Sequence, residues 1–113
     1  MTDTHTGQCL CGAVKSEGRG TPEIAICHCD MCQKWHGGPS LAVRFEGGLS
    51  IVDGAQSVGW YRSSDWAERG FCKTCGSTLF YRLVSAPDEL SGEAGCFDLP
   101  EGRPVKEHYF IDE

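Results

Sequence analysis

Seven of the eight cysteines fall into three tight groups: Cys9-Leu10-Cys11, Cys27-His28-Cys29-Asp30-Met31-Cys32, and Cys72-Lys73-Thr74-Cys75-Gly76. Sulfurs at this spacing can face one side of a tight turn, where backbone amides also donate to the thiolates. The chemistry that suits such knuckles is zinc binding, and zinc takes four ligands in a tetrahedron. Seven sulfurs divide most simply into four and three. Joining Cys9 and Cys11 to Cys72 and Cys75 closes most of the chain into one loop, so an ion shared there would constrain the unfolded chain strongly. That assigns Cys9, Cys11, Cys72 and Cys75 to a structural zinc. Cys27, Cys29 and Cys32 are left with three thiolates and a vacancy for water or substrate. The competing arrangement has His36, just before the Gly37-Gly38-Pro39 turn, closing the second site as its fourth ligand.

Other uses of the cysteines fit less well. A redox dithiol at Cys29/Cys32 or Cys72/Cys75 lacks the βαβ context of thioredoxin-like proteins. Cys9 and Cys11 flank a single residue and would bridge each other only under strain. Cys96, in Ala94-Gly95-Cys96-Phe97, reads as a small buried apolar residue. His28, between two ligands, reads as solvent-facing or backbone-bonded, while His5 and His108 have no neighbours that mark them.

The formal charge of −6 becomes more negative once thiolates are counted, which argues against a nucleic-acid partner. An anionic small molecule would need local basic help. Lys34, Arg44, Arg62, Lys73 and Arg82 are the candidates, each read first as an ordinary surface charge. The start Met1-Thr2-Asp3-Thr4-His5-Thr6-Gly7 has neither a basic stretch nor an apolar run. The expectation is therefore a cytoplasmic protein with no membrane segment, in a compartment where thiols stay reduced.

The elements that position these groups are expected to be short. The 113 residues fit one domain, and 15 glycines and 5 prolines leave little room for long helices. A mainly β domain spanning residues 1–113 follows. Alternation and turn residues predict strands at 7–17, 24–27, 40–45, 49–53, 58–62, 68–71, 77–84, 93–97 and 107–111. A helical turn is expected over 29–36, and a weaker one over 63–66. Phe45, Trp60, Tyr61, Phe71, Phe80, Tyr81 and Phe97 are read as core.

Three stretches together resemble the glutathione-dependent formaldehyde-activating enzyme family, also called the Gfa or centromere protein V family. They are Gly7-Gln8-Cys9-Leu10-Cys11-Gly12-Ala13-Val14, Cys27-His28-Cys29-x-x-Cys32-Gln33-Lys34 and Phe71-Cys72-x-x-Cys75-Gly76-Ser77-x-Leu79-Phe80-Tyr81. The resemblance runs from about Gly7 to Ile111. It implies an Mss4-like fold, small antiparallel sheets folded over each other around a structural zinc with little helix. It also implies two Zn2+ per chain, structural at Cys9, Cys11, Cys72 and Cys75, and catalytic at Cys27, Cys29 and Cys32. The implied activity is condensation of glutathione with formaldehyde, a carbon-sulfur lyase reaction run in reverse. The implied partner is a small thiol such as glutathione. The alternative is a non-catalytic zinc scaffold that binds a thiol, a metal or a protein.

Overall fold

The computed structural model describes residues 4–99 and 105–109. In chain order the strands are β1 (Thr4–Gln8), β2 (Lys15–Arg19), β3 (Pro22–Cys27), β4 (Ser40–Phe45), β5 (Leu49–Asp53), β6 (Val58–Arg62), β7 (Ala67–Cys72), β8 (Thr78–Leu83), β9 (Ala86–Glu93) and β10 (Val105–Tyr109). One α-helix, α1 (Asp30–His36), joins β3 to β4. A three-stranded sheet has the order β1-β2-β5, and a seven-stranded sheet has the order β10-β3-β4-β9-β8-β7-β6. Pairing is antiparallel throughout except for β10, which runs parallel to β3. The mainly β expectation holds, for the glycine-punctuated segments are too short to propagate helix.

Period-2 alternation sends β4 to two destinations. Val43 and Phe45 are buried in the core with Val14, Leu49, Phe80 and Phe97, while Ser40, Ala42 and Arg44 point to the opposite face. Full burial of each such apolar side chain contributes about 1.5–3 kcal/mol. Phe97 ties the sheets together at two glycines. A Cβ on Gly7 of β1, or on Gly92 of β9, would lie 2.6 Å from its ring, so both positions need a hydrogen for a side chain. The Phe97 ring also sits 5.1 Å from Phe45, centroid to centroid.

Register defines the other face of the large sheet. Cys27 lies opposite Ser40, Ala42 opposite Glu93, Ser91 opposite Tyr81, and Tyr81 opposite Arg69. Residues opposite one another, or two apart on one strand, share a face. Cys27, Ser40, Glu93, Tyr81 and Arg69 therefore look the same way, on the side away from the packed core.

Several local expectations are corrected. The strand expected over 7–17 is two strands, because the backbone reverses at Cys9-Leu10-Cys11-Gly12; the Gly12 N–H donates to the Cys9 carbonyl at 3.1 Å, and Gly12 has φ 81°. Residues 63–66 form the β6–β7 hairpin loop rather than helix, with the Arg62 guanidinium donating to the Ser64 and Asp65 carbonyls. The strand expected at 93–97 ends at Glu93 and passes into a single 3-10 turn, Ala94–Cys96. Its true body, β9, begins at Ala86, where Pro87, Asp88 and Glu89 hide a strand behind poor β propensity. Of the expected aromatic core, Tyr61 is 56% exposed; Phe71 and Tyr81 are half-buried. The expected closing strand corresponds to β10, and Ile111 lies outside the described residues.

Candidate metal centres and substrate cavity

Two knuckles meet to form the first centre. Cys9 and Cys11 stand on the β1–β2 turn, Cys72 ends β7 and Cys75 stands on the turn to β8, where Gly76 has φ 80° and its N–H donates to the Cys72 carbonyl at 2.8 Å. The four sulfurs all lie within 4.8 Å of one another. Cys9 Sγ is 3.6 Å from Cys11 Sγ, and Cys11 Sγ is 3.8 Å from Cys72 Sγ. A tetrahedron with zinc–sulfur bonds of about 2.3 Å has edges of about 3.8 Å, so the donor set fits zinc. Backbone and hydroxyl donors hold the sulfurs: the Val14 N–H donates to Cys9 Sγ at 3.4 Å, and Ser77 Oγ lies 3.1 Å from Cys75 Sγ. The Ser77 hydroxyl, with its own amide, pulls the Cys75 thiol down to about 5. The same hydroxyl accepts from the Leu10 N–H at 3.1 Å, fastening one knuckle to the other.

Cys27, Cys29 and Cys32 form the second group, again with all sulfurs within 4.8 Å. Here a strand end and a helix start supply the donors. Cys27 is the last residue of β3, Cys29 is the N-cap of α1, and Cys32 is the buried residue of its first turn. Cys29 caps the helix through sulfur, accepting from the Cys32 N–H at 3.5 Å. Gly37, at φ 76°, closes the other end by donating to the Gln33 carbonyl. The Trp35 ring anchors α1 on the sheet, 5.7 Å from Tyr61 and 6.0 Å from Phe71. Burial pushes the Cys32 thiol up to about 12, against the pull of the Arg69 guanidinium. Three thiols so close cannot all ionise unless a cation joins them, which is the behaviour of a metal-binding set. Among the described residues the grouping stops at these three sulfurs, and His36 has its Nδ1 3.5 Å from Glu93 Oε1.

The two groups differ in what they face. A cavity of about 690 Å³ is lined by Cys27, Cys29 and Cys32 but by none of Cys9, Cys11, Cys72 and Cys75. Met31, Trp66, Phe80, Tyr81 and Leu83 form its apolar wall, and Arg44, Arg69, Glu89 and Glu93 supply charge. Of the five expected cations, Arg44 and Arg82 line it, whereas Lys34, Arg62 and Lys73 do not. Arg82 is already engaged, 2.9 Å from Glu68 Oε1 and stacked over Trp60.

The family model described as glutathione-dependent formaldehyde-activating enzyme matches residues 4–113. This chain belongs to that family. It is 37% identical over 110 residues to a Schizosaccharomyces pombe protein named an uncharacterized lyase, a match covering 96% of this chain and 80% of the relative. It is also similar to a crystal structure of a Rhodobacter sphaeroides protein, at TM-score 0.65 and 26% identity, covering 91% of this chain and 98% of that one.

Within this Gfa-family chain, all seven clustered cysteines come together in the expected four and three. Cys96 stands apart from both groups but is half-buried rather than buried as expected; partial burial pushes its thiol up to about 11, and its sulfur donates to the Thr78 carbonyl at 3.7 Å. His28 is half-buried, with its carbonyl accepting from the Gln33 side chain at 3.3 Å. Two charged residues were missed. Arg69 is only 6% exposed; its Nη1 lies 3.6 Å from Cys32 Sγ, its guanidinium faces the Tyr81 ring, and its Nε has no partner. Glu93, at the end of β9, has its carboxyl pushed up to about 7 by burial, although the Ser40 hydroxyl donates to it at 3.3 Å. The only sequence signal for either was a charged residue within an expected strand.

Proposed function

We propose that this Gfa-family protein forms and cleaves adducts between a thiol such as glutathione and an aldehyde such as formaldehyde, in the cavity floored by Cys27, Cys29 and Cys32. The observation that supports this most is the uneven exposure of the two sulfur groups: three cysteines open onto a space of about 690 Å³, and four do not. That volume falls in the usual range for small-molecule sites. The lyase name of the yeast relative and the family description point the same way.

In this reading Cys9, Cys11, Cys72 and Cys75 hold a structural zinc, and Cys27, Cys29 and Cys32 hold a second. The second zinc, when bound, supplies Lewis acidity that favours an ionised thiol beside the aldehyde. The rest falls to the chain. The Cys29 cap and the α1 turn fix the sulfurs, and Trp35 fixes α1 on the sheet. Arg69 offsets negative charge at Cys32 through its 3.6 Å contact. Met31, Trp66, Phe80 and Tyr81 line the space with apolar surface against which the carbon portions of the two reactants can pack. In the forward direction sulfur bonds to the carbonyl carbon, the C=O π pair moves to oxygen, and that oxygen takes the thiol's proton. The reverse direction breaks the carbon–sulfur bond.

A reducing compartment such as the cytoplasm suits eight free thiols. Among the described residues no helix is long and apolar enough to cross a membrane. The test is the exchange rate between free glutathione, formaldehyde and their adduct, measured with zinc-loaded protein above the spontaneous rate. Acceleration that disappears in Cys29→Ser supports the reading. No acceleration at any protein concentration contradicts it.

A further inference from the structure

Beside the three cysteines the cavity holds a second, tightly built constellation. Glu93 Oε2 accepts from the Ser40 hydroxyl at 3.3 Å, and Oε1 lies 3.5 Å from His36 Nδ1. Both holding groups are neighbours of the cysteines by register. Ser40 lies directly opposite Cys27 across β3 and β4, where Cβ atoms stand about 5 Å apart. His36 follows Cys32 by one turn of α1, so both lie on one side of the helix. The Glu93 side chain is 17% exposed, and both it and His36 line the cavity. A carboxyl flanked by Ser40 and His36, in the cavity that the three thiols also line, is positioned to reach a ligand bound there.

We infer that Glu93 carries the proton between the thiol sulfur and the aldehyde oxygen, with Ser40 and His36 as its positioning residues. This rests on the thiol–aldehyde reading of the cavity. Ionised Glu93 accepts the proton of the entering thiol as sulfur attacks the carbonyl carbon. The C–S bond forms, the C=O π pair goes to oxygen, and Glu93 returns the same proton to that oxygen. Cleavage runs backwards: Glu93 takes the hydroxyl proton, the carbonyl re-forms, and the departing sulfur receives the proton. No proton, electron or third reactant is left over, and Glu93 begins and ends ionised in both directions.

The surroundings suit a shuttle. Arg69 from β7 favours the ionised carboxylate, and Ser40 from β4 does the same, while burial opposes both and leaves the carboxyl near about 7. His36 from α1 is held below its ordinary value by burial and by Arg69, so it faces Glu93 as a neutral ring. Cys96, from the turn after β9, carries a thiol pushed up to about 11 and remains protonated. Glu89, on the same strand, lines the cavity too. A group whose affinity for protons lies near neutrality can both take and return one.

The experiment compares zinc-loaded wild type with Glu93→Gln and Ser40→Ala, following glutathione–formaldehyde exchange by NMR from pH 5.5 to 8.5 after subtracting the spontaneous rate. Glutathione binding is measured alongside by calorimetry. Wild-type exchange is expected to rise through pH about 7 and level off. Glu93→Gln should lose about 100-fold in rate and the pH limb with it, yet bind glutathione unchanged. Ser40→Ala should retain the limb, displaced and lowered. An active Glu93→Gln with the wild-type limb overturns the assignment. So does a Glu93→Gln whose glutathione binding falls as far as its rate, which would make Glu93 a binding group. A wild type without acceleration removes the thiol–aldehyde reading itself, an outcome distinct from both.

Discussion

The two sulfur groups of this chain are alike in chemistry and opposite in setting. Cys9, Cys11, Cys72 and Cys75 come from two loops distant in sequence and meet where β1, β2, β7 and β8 turn. Cys27, Cys29 and Cys32 come from one local segment, the end of β3 and the start of α1. An ion held by the first group cross-links the chain over most of its length. One held by the second closes only a short loop, which costs little entropy when open and gains little when closed. The first arrangement suits stability and the second suits exchange. The same ligand type thus acquires different roles from loop length and from the cavity beside it.

The sharpest way to break this comparison is to remove one cysteine from each group. Cys72→Ser should abolish cooperative unfolding, since metal binding at structural sites supplies on the order of 10 kcal/mol; circular dichroism on urea titration checks it. Cys29→Ser should remove about one zinc per chain and keep a cooperative transition within about 2 kcal/mol of wild type. It should still lose thiol–aldehyde turnover by at least about 100-fold. Equal destabilisation by both substitutions would erase the distinction.

A smaller effect separates the two sides by pH. Burial raises the Glu93 carboxyl from 4.5 to about 7, so the folded chain holds that proton more tightly than the unfolded one. The associated stability is fully present below pH about 4.5 and is lost as pH rises through about 7. Glu93→Gln avoids that loss. It should therefore be more stable than wild type by about 2–3 kcal/mol at pH 8, with little of that gain at pH 4. Denaturant midpoints at the two pH values decide it. The smallest effect belongs to the closed group. Ser77→Ala removes a hydroxyl that serves both the Leu10 N–H and Cys75, and should cost about 1 kcal/mol and about tenfold in zinc affinity there. Catalytic exchange should be untouched.

Much of this layout was legible in the sequence because knuckles declare themselves locally. Cys-x-Cys and Cys-x-x-Cys fix which sulfurs sit together, and the folded chain brings Cys72 and Cys75 within 4.8 Å of Cys9 and Cys11, the pairing that loop closure favours. The β content followed from glycine and proline punctuation. What stayed hidden depends on pairing across the sheet. Glu93 acquires its setting only because β9 lies beside β4, which brings Ala42 opposite it and Ser40 within reach. Arg69 is buried because β7 places it opposite Tyr81, on the face of the sheet where Cys32 of α1 comes within 3.6 Å of it. Neither contact leaves a trace within a window of neighbouring residues. The strand hidden at Pro87-Asp88-Glu89 failed for a related reason, since pairing of β9 with β8 on both sides of that stretch overrides local propensity.

The central claim, one wrapped ion and one with room for a thiol, is tested most directly by zinc-edge X-ray absorption on the two-zinc protein before and after glutathione is added. The account predicts an average of about 3.5 sulfurs per zinc beforehand, with a lighter ligand making up the remainder, and about 4 afterwards. An average that begins at 4, or a nitrogen signal that persists unchanged once glutathione is present, contradicts it.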